Sequence, residues 1–409
     1  MRTNQPIQNF EGTPNVNGVY PPDTDGDVGP DHYYQMINLS FQIFDKEGNS
    51  LYGPADNSTI WDGFIGPWTG TNDGDPITLY DAEADRWLVS QFAINTNDGS
   101  YWELIAVSAT GDPLGEYYRY AFEFPAFNDY PKLGIWNDAY YASFNMFGSY
   151  NRVAAAAFER DAILEGDPEA RMVLFDLEEG SEPWSMLPSD FDGTPPPEGT
   201  PNYFAYVQDD LFSGSDQIKI WEFEVDWEDL SNSTFEEAYT IDVASFDSEI
   251  CPAYRGRCIH QPLDTPKLEA LADRLMFRLQ YRNFGLYETM VTNHTVDVDG
   301  AGLAGIRWYE FRDYNDGEGW QLYQQGTYAP DSDHRWMGSV AMNAEGYIAM
   351  GYSVSSNNTY PSIRYTGRGP NAPLGEMVFT EETIIDGSGV QTGEASRWSE
   401  LFQNVDRSR

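Results

Sequence analysis

Lysine is nearly absent from this chain. Lys46, Lys132, Lys219 and Lys267 are all it has, and Lys and Arg together number 23 against 66 Asp and Glu, a formal net charge of −43. A surface of that sign repels nucleic acids and anionic membranes at moderate salt. It reads as a solvated acidic shell suited to saline surroundings, with a dedicated cation-binding surface as the alternative. Long apolar runs are also missing, so nothing here has the roughly 18 apolar residues of a membrane-spanning helix. The opening MRTNQPIQNFEGTP lacks an apolar signal region; a signal was either removed or never present. Long amphipathic helical patterns are lacking, which disfavours a helical fold. There is no G-x-S-x-G, H-E-x-x-H, P-loop or dinucleotide fingerprint. Serine-hydrolase, zincin and nucleotide chemistries therefore have no local support.

Cysteine is scarce. Cys251 and Cys258 stand close together in CPAYRGRC. A lone pair lacks the four ligands of structural zinc. A disulfide closing a small loop fits better, and it belongs in an oxidising compartment.

What the chain does have is aromatics, at 15%, with 37 Gly and 25 Pro. The clearest stretch runs from Asp264 to Tyr328. Four β-type runs lie inside it: Arg274–Tyr281, Tyr287–Val296, Gly305–Arg312 and Trp320–Tyr328. Each is rich in Tyr, Phe, Trp, Val, Ile or Thr, and Gly, Asn or Asp fills the gaps. Four short antiparallel strands in such a span make one β-propeller blade.

The opening of this unit recurs. GDPITLYDAEADRWLVS, NDYPKLGIWNDAYYASF, LDTPKLEALADRLMFRL and SDHRWMGSVAMNAEGYIAMG each carry Asp at the second place. A short β-run, an Asp- or Asn-bearing turn and a longer β-run follow. Pro76, Pro131, Pro201, Pro266 and Trp336 anchor the repeats. One blade cannot bury both of its faces, so stacked copies must cover one another. The expectation is a single all-β propeller of six blades, each of about four antiparallel strands, with seven as the alternative. Residues 1–20 form a tail or a ring-closing strand, 21–390 the propeller and 391–409 a polar tail.

Within that frame, His32–Leu39 and Ser40–Asp45 read as strands of the first unit. RVAAAAFERDAIL reads as β by its place, against a helical preference from its alanines. LPSDFDGTPPPEGTP reads as a loop before the fourth unit.

Several strings resemble a largely uncharacterised family of secreted bacterial β-propeller-like proteins. They are PPDTDGDVGPDHYYQMIN (21–38), GDPITLYDAEADRWLVSQF (74–92), DYPKLGIWNDAYY (129–141), LADRLMFRLQYRNFG (271–285), NHTVDVDGAGLAGIRWYE (293–310), HRWMGSVAMNAEGYIAMGYSVSS (334–356) and PSIRYTGR (361–368). The resemblance covers most of the chain and implies an extracellular or cell-surface protein, without implying a reaction. The chain departs at RWSELF (397–402), where the family pattern carries an RWGDYS-like string.

Two sets of residues could carry chemistry. DTDGDVGPD places Asp23, Asp25 and Asp27 at alternate positions, and hard oxygen ligands on a tight turn suit Ca²⁺. The other reading is an acidic turn shaped by Asp and Gly. Asp297 and Asp299 form a weaker acidic cluster of the same kind. The unit openings place Asp75, Asp129, Asp264 and Asp333 at equivalent positions, near one mouth of the channel, with Lys132, Lys267, His334 and Arg335 beside them. Such a mouth is a candidate active site. The alternative is that these Asp residues are turn formers that tie one blade to the next. Paired carboxylates there suit glycoside hydrolysis. A uronate lyase needs instead a base such as His or Tyr and a cation to neutralise the uronate. His260, His294, His334, Tyr365, Arg335 and Arg364 are the candidates for that.

Three functions follow from these readings. The first is an extracellular or cell-surface binding or scaffold propeller for glycans or partner proteins. The second is a polysaccharide-active enzyme, hydrolase or lyase, with its site at the channel mouth. The third is a self-assembling structural surface protein.

Overall fold

The structure is a computed structural model. It describes residues 6–392 and 397, apart from 96, 150, 178–182, 213, 253–255 and 264. Asp264 therefore lies outside the described residues.

Three four-stranded antiparallel sheets come first. They are β1 (Asp25–Val28), β2 (His32–Ile37), β3 (Ser40–Asp45) and β4 (Ser50–Asp56); β5 (Ile77–Asp81), β6 (Arg86–Ile94), β7 (Tyr101–Ser108) and β8 (Tyr117–Phe124); and β9 (Phe127–Ile135), β10 (Ala139–Phe147), β11 (Arg152–Glu159) and β12 (Met172–Asp176). A short helix, α1 (Arg160–Glu165), separates β11 from β12.

An eight-stranded sheet follows, built from two antiparallel halves. One half is β13 (Leu187–Phe191), β14 (Asn202–Gln208), β15 (Gln217–Glu224) and β16 (Thr234–Asp242). After a small hairpin, β17 (Arg257–Ile259) and β18 (Leu268–Glu269), comes the other half: β19 (Met276–Asn283), β20 (Glu288–Asp297), β21 (Ala304–Asp313) and β22 (Gln321–Tyr328). The halves join where β13 and β19 pair in parallel, at Ser189 with Leu279 through Phe191 with Tyr281. The last sheet is β23 (His334–Met342), β24 (Ile348–Ser355), β25 (Ser362–Arg368) and β26 (Glu382–Ile385).

The fold is thus all-β and propeller-like. Four sheets stand separate and one is double, so the sheets themselves do not divide cleanly into six. The first strands lie side by side in chain order: β1 on β5, β5 on β9, β9 on β13, β13 on β19 and β19 on β23. Bonds from the backbone N–H groups of one unit to Asp carboxylates of a neighbouring one keep a repeating sequence separation. Thr78 N donates to Asp25 and Tyr80 N to Asp27, each 53 residues apart. Tyr130 N donates to Asp75 and Ile135 N to Asp190, each 55 apart.

Aromatic rings fill the spaces between neighbouring sheets. Tyr34 meets Trp87 at 5.8 Å between the first two, and Phe122 meets Phe158 at 4.8 Å between the next two. Tyr141 meets Phe223 at 5.1 Å, Tyr203 meets Trp320 at 5.1 Å and Tyr328 meets Tyr352 at 5.6 Å further round. Each buried ring of this size contributes roughly 1.5–3 kcal/mol by leaving water. That accounts for the high aromatic content.

Several expectations need correction. Asp25–Val28 is a strand, not part of a turn, because alternate positions suit a pleat as well as a loop. Leu187–Phe191, expected within a loop, is the first strand of its sheet, so Pro201 does not open that unit. In the next unit, Leu268–Glu269 belongs to the small hairpin and Met276–Asn283 is the first strand. RVAAAAFE is β as expected, but the following RDAILE is helical and ends on Gly166 with a left-handed φ of 74°. The described part of the N-terminal segment forms no strand. Asn9 Nδ2 donates to Ile384 O of β26 at 2.7 Å, and Phe10 packs on Tyr33 and Phe44. The Cys251–Cys258 disulfide is formed.

Candidate functional site: a charged cluster at the axis

The first strands project charge toward one another. At one end, Asp23, Asp75, Pro76, Ile77, Tyr130, Pro131 and Lys132 line a small recess. Its cavity volume is only about 10 Å³, room for about one water. Asp75 and Asp129 are thus brought near each other, together with Asp23 and Lys132.

The Asp23 and Asp75 carboxyls are in hydrogen-bond contact. Two carboxylates that close cannot both ionise freely. Burial raises Asp75 well above the usual carboxylate range, and the charges of Asp23 and Asp129 add to this. Burial also raises Asp23, opposed by Lys132. Asp25, one step deeper on β1, is pushed up to about 7 by burial, against the lowering effects of the Thr78 N–H and Lys132. Among the described residues, Asp25 Oδ1 and Asp23 Oδ1 have no hydrogen-bond partner.

Lys132 is buried, at 3% exposed. Its Nζ donates to Pro131 O at 2.8 Å and lies 3.8 Å from the centre of the Tyr130 ring. On that ring also sits the Arg274 guanidinium, 4.9 Å from its centre and in hydrogen-bond reach of the hydroxyl. Arg274 is held by Asp273 at 2.9 Å. Tyr130 has a left-handed φ of 56°, as do Asp23 at 39°, Asp75 at 45° and Ser185 at 54°. A left-handed turn therefore recurs at the openings of four successive units. For a bulky residue such as Tyr130 that conformation is strained.

Deeper along the axis the space is filled. Arg278 pairs with Asp190 at 2.7 Å and with Asp192 at 3.0 Å, and feels Asp27 as well. Gln280 donates to Asp192, and Arg282 stands near the same carboxylate.

The remaining sequence candidates are held elsewhere. Asp333 accepts from Thr359 Oγ1 at 2.8 Å. Arg335 is fully buried between Asp331 and Glu381, and Arg364 pairs with Glu381 at 2.9 Å. His334 accepts from Ala304 N through Nδ1, so its Nε2–H points to His260 Nδ1 at 3.3 Å. Burial pushes His334 down to about 4 and His294 to about 3, so both are neutral at neutral pH. Asp297 and Asp299 cap the backbone N–H groups of their own loop.

Among the described residues, the carboxylates close enough to hold one metal ion are Asp209, Asp210 and Asp216, not Asp23, Asp25 and Asp27. Asp209 and Asp216 already accept from backbone N–H groups and from Ser248 and Ser245. Asp25 Oδ2 and both oxygens of Asp27 are likewise taken by backbone N–H groups.

Sequence reasoning missed Asp190, Asp192, Arg274, Arg278 and Tyr130. A signal was there. Arg278, Gln280 and Arg282 alternate through an otherwise apolar strand, which marks a face that meets polar partners.

Fold and site together define a propeller-like all-β protein with a buried charged axis. No family model matches the sequence, and no curated protein matches it. Solved structures do resemble it remotely. An α-L-arabinanase from Penicillium chrysogenum is 11% identical over 86% of this chain and 95% of that one, with a TM-score of 0.40. An ulvan lyase is 11% identical over 89% and 83%, with a TM-score of 0.43. An apocarotenoid oxygenase from Synechocystis is 9% identical over 88% and 74%, with a TM-score of 0.42. Likeness this remote assigns no activity to this chain.

Proposed function

We propose that this is an exported, six-bladed propeller that acts on polysaccharide at the mouth of its axis. The count of six takes the two halves of the eight-stranded sheet as separate blades. The disulfide supports an oxidising compartment.

The observation that carries the catalytic reading is Tyr130. Its ring is held by Lys132 and Arg274 on a strained backbone, beside the buried Asp23 and Asp75 carboxyls. Carboxyls in contact are closer than the roughly 5–9.5 Å that glycoside hydrolysis uses. The set suits β-elimination from a uronate better. Tyr130, in its phenolate form, takes the C5 proton and becomes the neutral hydroxyl, and the C–H electron pair becomes the C4–C5 double bond. The C4–O bond breaks, and Asp75, kept protonated by burial, gives its proton to the leaving oxygen. Lys132, buried beside the Tyr130 ring, supplies positive charge toward the uronate carboxylate without touching it, and Arg274 positions the Tyr130 hydroxyl.

Purified protein with calcium present, given a panel of neutral and uronic polysaccharides, tests this. The expected result is unsaturated-uronate absorbance, lost roughly 10²–10⁴-fold in Tyr130→Phe with the fold intact. New reducing ends without that absorbance would make it a hydrolase.

One observation favours the binding or scaffold reading. The axis is closed by the Arg278 ion pairs, and Asp25, Asp27, Asp75 and Asp190 each cap a neighbouring strand. No turnover on a broad panel would leave that reading standing.

A further inference from the structure

A second cavity, of about 160 Å³, opens between the β19–β22 and β23–β26 sheets and shares no lining residue with the recess at Tyr130. Its walls are Phe284, Tyr287, Glu310, Arg312, Gln324 and Arg368, with Met342, Gly346 and the exposed Glu345 at its edge. That is smaller than the roughly 300–1,000 Å³ of sites for drug-sized ligands, so it takes one ring and not a chain.

The polar groups of this cleft form a built network. Glu310 is buried, and it accepts from Arg312 Nε at 2.6 Å and from Gln324 Nε2. Gln324 Oε1 in turn accepts from Arg368 Nη1 at 2.6 Å. Arg368 is 1% exposed, and its other acceptors are the carbonyls of Ala372, Pro373 and Glu376. Among the described residues its hydrogen bonds all go to neutral oxygens, and none of its partners there is a carboxylate. The one buried carboxylate of the cleft is already shared with Arg312. Two buried or half-buried guanidiniums thus face a single buried carboxylate, inside a chain of net charge −43.

Arg312 adds geometry to charge. Its guanidinium lies 4.2 Å from the Tyr287 ring centre and 3.4 Å from that of Tyr323. Nε is spent on Glu310 and the Tyr314 hydroxyl is in reach, which leaves Nη–H groups for a ligand. Phe284, which also lines the cleft, stacks on Tyr287 at 5.1 Å. A planar fork beside an aromatic face recognises a carboxylate carried on a ring.

We propose that this cleft binds a small ring-bearing carboxylate, its carboxylate on Arg312 and its ring against Tyr287 and Phe284. The assignment does not rest on the axial reading. The two sources of this chemistry are a sugar acid and an aromatic acid.

Calorimetry on the full chain carrying Tyr130→Phe, which removes the proposed turnover, tests it. The probes are glucuronate, glucose and benzoate. Glucuronate or benzoate is expected to bind at least tenfold more tightly than glucose, and whichever binds more tightly names the source. Arg312→Gln should weaken that binding at least tenfold, with Arg312→Lys intermediate because it keeps the charge and loses the fork. Binding of neither acid more tightly than glucose, or unchanged binding in Arg312→Gln, would overturn the proposal. If the acids bind here and no polymer is cleaved, the cleft stands and the axial reading falls.

Discussion

Asp25 shows how the axis balances opposing effects. Burial disfavours its charge, while the Thr78 N–H and Lys132 favour it, and burial wins, leaving it at about 7. An acid raised in the folded state binds its proton more tightly there than in the unfolded chain. Its contribution to stability is therefore full below about pH 4 and is lost as pH rises toward 7. Asp25→Asn keeps an oxygen for the Thr78 N–H but cannot ionise. The stability of the variant relative to the native protein should rise between about pH 4 and 7, by up to a few kcal/mol. Chemical denaturation at several pH values reads this, and a pH-independent difference would show that Asp25 is ionised throughout. At this scale the sequence was half legible. Asp75, Asp129 and Lys132 were found because they repeat at unit openings. Tyr130 and Arg274 were not, because their contact depends on chain folding that no local pattern encodes. His334 and Arg335 were named for their place beside Asp333 at a unit opening, and there His260, Asp331 and Glu381 hold them.

At the scale of the strand, close approach sets the sequence. Gly134 on β9 faces β13, and a Cβ there would lie 2.4 Å from Ser189 O. That oxygen belongs to backbone fixed on its other side by the β13–β19 pairing, so it cannot yield cheaply. Gly134→Ala should destabilise by roughly 1–3 kcal/mol, the usual cost of overpacking. Gly389→Ala, where nothing lies within 4 Å, is the control, and equal melting temperatures for the two variants would refute the tight contact. Strands β19 to β22 were legible to within a few residues, because apolar and aromatic runs alternate with turn residues. Strands β1 and β13 were not. Both are short, and DGDV and LPSDF spend their polar side chains on the axis instead of on solvent. Polar content signals a loop only when the polar atoms face water.

For the whole molecule, charge is the dominant fact. With 66 acidic and 23 basic residues, like charges crowd the folded surface more closely than they would in an extended chain. Salt screens that repulsion over a Debye length of about 10 Å at 0.1 M and about 3 Å at 1 M. The buried pairs, Arg278 with Asp190 and Arg335 with Glu381, lie inside the protein and are screened far less. Added NaCl therefore removes a cost without removing the internal ties. The melting temperature should climb between about 0.05 and 1 M NaCl, and most of the rise should come early, where the screening length changes most. KCl should act like NaCl, since screening depends on ionic strength and not on the identity of the cation. A rise confined to millimolar CaCl₂ would instead mean specific cation binding by the acidic shell. A fall with NaCl would mean that surface ion pairs, and not repulsion, dominate the balance.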